Sequence, residues 1–181
     1  MIAEMAGTPL ILTIELDSAS AQRFESLRRA HFPPERNVLP AHVTLFHALP
    51  GEHEEAVRHE LGGLCARIAP FAVRFPRLRL LGRGVAAELA APELLALHQR
   101  LAARWRSWLT RQDAQPFQPH LTIQNKVTPG EARALFADLS CTWMVPDGQA
   151  SGLQLWHYLG GPWALVQALS FTGNGATPCA R

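Results

Sequence analysis

Pro40-Ala41-His42-Val43-Thr44-Leu45 and Pro119-His120-Leu121-Thr122-Ile123 carry the same phrase, His-x-Thr-(Leu/Ile), 78 residues apart. Each copy follows a proline and sits in a short apolar run, PAHVTLFHAL (40–49) and PFQPHLTIQNKV (116–127). Side chains on a strand alternate faces, so His42 and Thr44 share one face while Val43 and Leu45 share the other. The same parity joins His120 to Thr122 and backs them with Leu121 and Ile123. Each copy thus offers an imidazole and a hydroxyl about 7 Å apart along a strand. Two copies facing each other make a cleft with two imidazoles and two hydroxyls. Such a pair suits in-line displacement at phosphorus, where one group takes a proton and the other gives one.

Working outward, the pattern predicts a strand over 9–16 and a helix capped by Asp17 and Ser18 that ends near His31-Phe32-Pro33-Pro34. After the first His-x-Thr strand, 51–68 predicts a helix with Val57, Leu61, Leu64 and Ile68 on one stripe. FAVRFPRLRLLG (71–82) and GVAAELA (84–90) predict two strands around Gly82-Arg83-Gly84, with Pro76 marking an edge or bulge in the first. A third helix covers 91–112 through Leu94, Leu97, Leu101, Trp105 and Trp108 or Leu109. Thr128, Pro129 and Glu131 predict the N-cap, N1 and N3 of a fourth helix. Strands over 150–159 and 163–171 close the chain around Gly160-Gly161-Pro162. The unit helix, His-strand, helix, strand pair occurs twice, an internal duplication of about 80 residues. It predicts an α+β, bilobal fold with a pseudo-twofold axis between the His strands. One two-lobed domain is expected over 1–181, ordered over about 9–172, with short tails.

Composition sets the class. A chain of 181 residues with 48% hydrophobic and 18% charged residues is globular rather than disordered. No apolar run reaches membrane-spanning length, and the N-terminus lacks a basic region, so neither a membrane helix nor a signal peptide is expected. Cys65, Cys141 and Cys179 are odd in number and widely spaced, which argues against a disulfide framework or zinc site and for a reducing cytoplasm. A net charge of +2, from sixteen Arg and one Lys against 15 acidic residues, does not by itself argue nucleic-acid binding.

The paired motifs, their spacing and the element order resemble the two-histidine phosphoesterase superfamily, in its 2'-5' RNA ligase/cyclic phosphodiesterase (LigT-like) branch, over roughly residues 9–172. The resemblance implies antiparallel sheets lining a central cleft with helices outside, and metal-independent chemistry on 2',3'-cyclic phosphates or 2',5'-linked RNA. It implies His42 as proton donor and His120 as acceptor. Many relatives carry Arg five residues after the second His, where this chain has Asn125. Lys126 falls on the His120 face with Gln124 if the strand runs unbroken, as a substitute cation or as a surface residue.

The expected catalytic set is His42, Thr44, His120 and Thr122, with the hydroxyls donating to non-bridging oxygens and an optimum near neutral pH. Phe46 on the His42 face walls the cleft or joins the core. Trp156 and Tyr158 share a face and either stack a nucleobase or pack the sheet. Arg77 and Arg79 track phosphates or stay solvated. His53, His59 and His98 are read as helix-surface residues, and His47 as lying on the face opposite His42. The expected partner is an RNA end or nucleotide 2',3'-cyclic phosphate, bound by a monomer without metal, cofactor or membrane. Reversible 2'-5' RNA ligation, hydrolysis of a non-RNA cyclic phosphate, and a non-catalytic RNA- or nucleotide-binding module are the competing readings.

Overall fold

The computed structural model describes residues 7–174. Twelve elements follow in chain order: β1 (Leu10–Leu16), α1 (Ser18–His31), β2 (Val43–Leu49), α2 (Glu54–Cys65), β3 (Phe71–Arg74), β4 (Leu78–Leu80), β5 (Val85–Glu88), α3 (Pro92–Arg104), β6 (His120–Gln124), α4 (Pro129–Thr142), β7 (Asp147–Tyr158) and β8 (Trp163–Ser170). The predicted caps are present. Asp17 accepts from the Ser20 amide at 2.9 Å and hydroxyl at 2.7 Å, and from the Gln149 amide at 2.7 Å, which ties the start of α1 to β7. Thr128 and Glu131 form a reciprocal capping box at α4. No described helix is long and apolar enough to cross a membrane.

All eight strands form one antiparallel sheet in the order β3-β7-β1-β2-β6-β5-β4, with β8 also on β7. It divides at its middle. β2 and β6 touch through the single pair Val43–Leu121, and those two residues are the same position of the duplicated motif. The twofold axis passes through this pair. β1-α1-β2-α2-β3-β4 repeats as β5-α3-β6-α4-β7-β8.

The strand-pair expectation needs one correction. The stretch 71–82 is not one strand, because Pro76 breaks it into β3 and β4, which lie at opposite ends of the sheet. β3 pairs with β7, and β4 with β5. Each lobe therefore combines strands from both repeats. Pro removes a ladder donor and restricts the residue before it, so the chain leaves one lobe and crosses to the other there. The third helix is also shorter than expected. It stops at Arg104, with Trp105 as its C-cap, and Trp108 and Leu109 lie beyond it, packed against the core.

The core is built from one cluster of buried side chains of the sheet and the helices. Leu10, Leu12, Phe24, Phe46, Phe75, Leu61, Leu94, Leu101 and Trp105 are almost wholly buried. Phe24 and Phe75 meet at 4.3 Å between ring centres, beneath the β3–β4 crossing. His98 is not a surface residue. It is 6% exposed, and its ring lies flat between Phe46 at 4.7 Å and Phe117 at 3.9 Å.

A candidate active site at the junction of the lobes

The strand register builds the site. With Val43 opposite Leu121 in an antiparallel pair, Thr122 stands across from His42 and Thr44 across from His120. Directly opposed side chains share a face, so all four polar groups gather on one face while Val43 and Leu121 point to the other, into the core, both fully buried. The two histidines are diagonal neighbours, a relation that spans about 7–8 Å in a sheet.

Each imidazole is held the same way. His42 Nδ1 donates to the Pro40 carbonyl at 2.7 Å, and His120 Nδ1 donates to the Gln118 carbonyl at 2.8 Å. A carbonyl can only accept, so the proton sits on Nδ1 in both rings and each Nε2 is left for other work. Each carbonyl lies two residues before its histidine, which accounts for the extended X-Pro or Pro-X approach to each motif.

The neighbourhood disfavours the charged form of both rings. Burial, aided by the positive charge of Arg28 and by His120 and His47, lowers His42 to about 4 against the upward pull of the Pro40 carbonyl. Burial also lowers His120, with Arg79 and His47 adding to it, while the Gln118 carbonyl and Glu88 oppose. Glu88 is the direct cross-strand partner of His120.

A bulge at the same place in each motif changes what else faces the cleft. β1 pairs Thr13 with Thr44 and then Leu12 with Phe46, so Leu45 is an extra residue. β5 pairs Ala86 with Thr122 and then Val85 with Gln124, so Ile123 is an extra residue. A bulge resets the alternation of faces beyond it. Phe46 and Gln124, expected beside the histidines, instead turn inward at 0% and 7% exposure. Phe46 packs on His98 and Trp105. Gln124 buries an amide oxygen that has no partner among the described residues. His47, expected on the opposite face, is the residue that reaches the cleft. Lys126 is not on the strand. β6 ends at Gln124, and Lys126 sits exposed in the turn beyond, at φ 65°.

Four residues that the sequence reading left out of the site frame it. Arg28, 3% exposed, donates to the Thr122 carbonyl at 2.8 Å, to Asn37 Oδ1 at 2.7 Å and to the Leu39 carbonyl at 3.1 Å. One guanidinium thus clamps the second motif and the approach to the first. Asp113, 6% exposed, accepts from the His47 amide at 2.8 Å, the Ala48 amide at 3.0 Å and the Thr110 hydroxyl at 3.2 Å. It also accepts from His47 Nδ1 at 3.0 Å. Burial pushes the Asp113 carboxyl up, but the bonds from His47 and Ala48 outweigh it and hold the group below its ordinary value. Asp113 braces the bulged strand and orients His47, whose side chain remains 47% exposed.

The fourth is Trp163, whose ring lies 4.7 Å from that of His42. Trp156 lies 6.1 Å from Trp163 and donates its indole N–H to Thr13 at 2.9 Å. Thr13 in turn pairs with Thr44. His42, Trp163 and Trp156 therefore form one continuous aromatic side to the cleft. Tyr158 pairs with Trp163 in the β7–β8 register and is 42% exposed, so it stands at the rim. Arg77 is paired with Glu88 at 2.6 Å rather than free. Among the described residues, no three His, Cys, Asp or Glu side chains cluster as a metal-ligand set.

The chain matches the family model of the 2'-5' RNA ligase superfamily over residues 16–162. Solved structures repeat the fold. TT0787 of Thermus thermophilus superposes with a TM-score of 0.64 at 19% identity, covering 91% of this chain and 98% of that one. E. coli LigT complexed with 3'-AMP gives 0.62 at 20% identity, covering 92% and 99%. LigT complexed with NADP+ gives 0.55 at 22% identity, covering 92% and 99%. No curated protein matches the chain.

Proposed function

The chain belongs to the 2'-5' RNA ligase superfamily, among the LigT-like two-histidine phosphoesterases, and from that premise we propose that it hydrolyses 2',3'-cyclic phosphates of RNA ends or nucleotides with His42 and His120 as its acid–base pair. The observation that carries this reading is the twinned restraint of the two rings. Both imidazoles are locked in one tautomer by carbonyls at matching positions, each with Nε2 unspent. That is what in-line displacement needs: one Nε2 to take the proton of the attacking water, the other to protonate the departing ribose oxygen.

Thr44 and Thr122 stand across from His120 and His42, where their hydroxyls donate to the non-bridging oxygens as charge builds on them. Trp156, Trp163 and Tyr158 give the nucleobase an aromatic side to stack on. That LigT binds 3'-AMP, NADP+ and ATP supports a nucleotide in this cleft. The family likeness gives the donor role to His42. In that order the proton must arrive with the substrate, because a bound phosphate anion raises the pKa of an imidazole beside it.

The test is turnover of nucleoside 2',3'-cyclic monophosphates with the product regiochemistry read out. A single monophosphate regioisomer, formed by the wild type and lost in both His42→Ala and His120→Ala, supports the reading. Tight binding without turnover favours the binding module instead. The family match also supports a second reading, in which the same groups run in reverse and a 5'-hydroxyl replaces water to form a 2',5' linkage. Joining of cyclic-phosphate and 5'-hydroxyl RNA ends tests it directly.

A further inference from the structure

His47 and Arg79 are not accounted for by the paired-histidine chemistry. Both line a recess of about 200 Å³ between the bulged part of β2 and the loop before β6. The recess shares Thr44 and His120 with the site, but not His42 or Trp163. Its chemistry is lopsided toward hydrogen-bond donors. The carboxylate in its wall, Asp113, is already saturated by two backbone amides, a hydroxyl and the His47 ring. Because Asp113 accepts from Nδ1, His47 presents Nε2 outward, and that nitrogen donates to an anion when the ring is the imidazolium, ion-paired with Asp113 at 3.0 Å.

Arg79 is the contrasting member of its segment. Arg74 and Arg77 are both paired with carboxylates, Asp147 and Glu88. Among the described residues, Arg79 pairs with none. Its Nη1 donates to the neutral Gln118 oxygen at 2.6 Å, and its Nε is buried without a partner. An arginine held in place by an amide and not neutralised by an acid is set up to meet an anion that comes from outside. Gln112 and Gln118 add further amide groups to the wall.

We propose that this recess is a second anion site, where the His47 imidazolium, donating from Nε2, and the Arg79 guanidinium hold a phosphate of the substrate other than the one undergoing cleavage. The proposal rests on the phosphodiesterase reading and deepens it. The preferred substrate carries a further phosphate next to its cyclic one, as an RNA 3' end or a 5'-phosphorylated nucleotide does, and a bare nucleoside cyclic phosphate leaves the recess empty.

The experiment compares kcat/KM for a nucleoside 2',3'-cyclic monophosphate with that for the same compound carrying a 5'-phosphate. A charge-assisted contact to the added group corresponds to roughly 10–100-fold in kcat/KM. The wild type should show that preference. Arg79→Gln and His47→Gln should each reduce the ratio of the two substrates toward one, and Arg79→Lys should retain part of it. Thermal unfolding of each variant separates loss of the site from loss of the fold. The wild type showing no preference overturns the proposal, and so does a preference that survives both Gln variants. Equilibrium binding of a nucleoside 2',5'-bisphosphate against the 2'-monophosphate reads the same ratio without turnover. If neither cyclic substrate is hydrolysed yet the bisphosphate preference is present and falls in the variants, the reaction assignment fails and the anion site stands.

Discussion

Replacing Trp163 with alanine should raise the acid limb of the kcat/KM–pH profile and leave the alkaline limb in place. The proposed reaction needs one imidazole neutral and one protonated, so kcat/KM is expected to rise and fall with the two macroscopic pKa values of the free site. His42 is lowered to about 4, chiefly by burial, and the Trp163 ring at 4.7 Å is one cover over it. His120 is also lowered below its ordinary value of 6.5. Both limbs therefore lie on the acid side, and the optimum falls between about 4 and 6.5, not at the neutral pH that unperturbed histidines suggest. By pH 8 the wild type should have lost about 30-fold or more from that optimum. Opening His42 to water makes its charged form cheaper and raises its pKa. Each tenfold gain in the proton affinity of His42 lowers kcat/KM at pH 4.5 about 3-fold or more relative to wild type, each normalised to its own value at pH 6. The assay is first-order hydrolysis of a nucleoside 2',3'-cyclic monophosphate from pH 4 to 9, with circular dichroism at each end to confirm folding. Loss of a stacking contact alone scales the whole profile without reshaping it. An acid limb unmoved by Trp163→Ala, or a wild-type optimum above pH 7.5, refutes the claim that burial sets these two groups.

Other expectations can be checked with standard assays. His42→Ala and His120→Ala should each cost about 10²–10⁴ in kcat, and the double variant less than the product of the two, since the pair acts as a unit. Thr44→Val and Thr122→Val should cost about 10–100-fold each, because one hydrogen bond is lost and the proton transfers remain. Asp113→Ala should destabilise the fold by about 3 kcal/mol in urea unfolding, as it orphans the buried amides of His47 and Ala48. A loss under about 1 kcal/mol, the net worth of a single hydrogen bond, shows that those amides find other partners. Activity should survive EDTA, and its loss with recovery on added metal excludes a metal-free mechanism.

The sequence revealed the motifs and their strands because both are local. Period-two alternation, the capping box at Thr128 and the turn at Gly160 each depend on a few adjacent residues. The bulges at Leu45 and Ile123 were not legible. A bulge is a mismatch between two strands, and the partners, β1 and β5, lie 30 or more residues away in the chain. Missing them placed Phe46 and Gln124 on the faces of His42 and His120 by uninterrupted parity and turned His47 away from the cleft, while Lys126 depended on a strand that in fact ends at Gln124. Position alone carried one usable hint. His47 stands five residues after His42, as Asn125 does after His120, so the duplicated frame made it comparable with a position already singled out. Arg28 was hidden for a different reason. It reads as one of several arginines on a polar helix, and only the tertiary fold brings it beneath two carbonyls. His98 lay on the helix α3, and its sandwich between Phe46 and Phe117 joins three elements that share no local pattern.

The exchange of strands between the repeats also governs how this chain must assemble. β1 finds its second partner in β7, with Trp156 and Thr13 bonded across 143 residues. Until the C-terminal hairpin is synthesised, the LILTIEL strand has one open edge, rich in β-branched and aliphatic residues and without proline. Such an edge is an invitation to intermolecular pairing. Neither repeat closes its own sheet, so the amino-terminal half emerging from a ribosome has no finished domain to fold into. Closure waits on long-range pairing, which is the slow step in folding. Aggregation during expression should therefore be worst for truncations that remove β7 and β8, and supplying residues 147–174 as a separate peptide should relieve it.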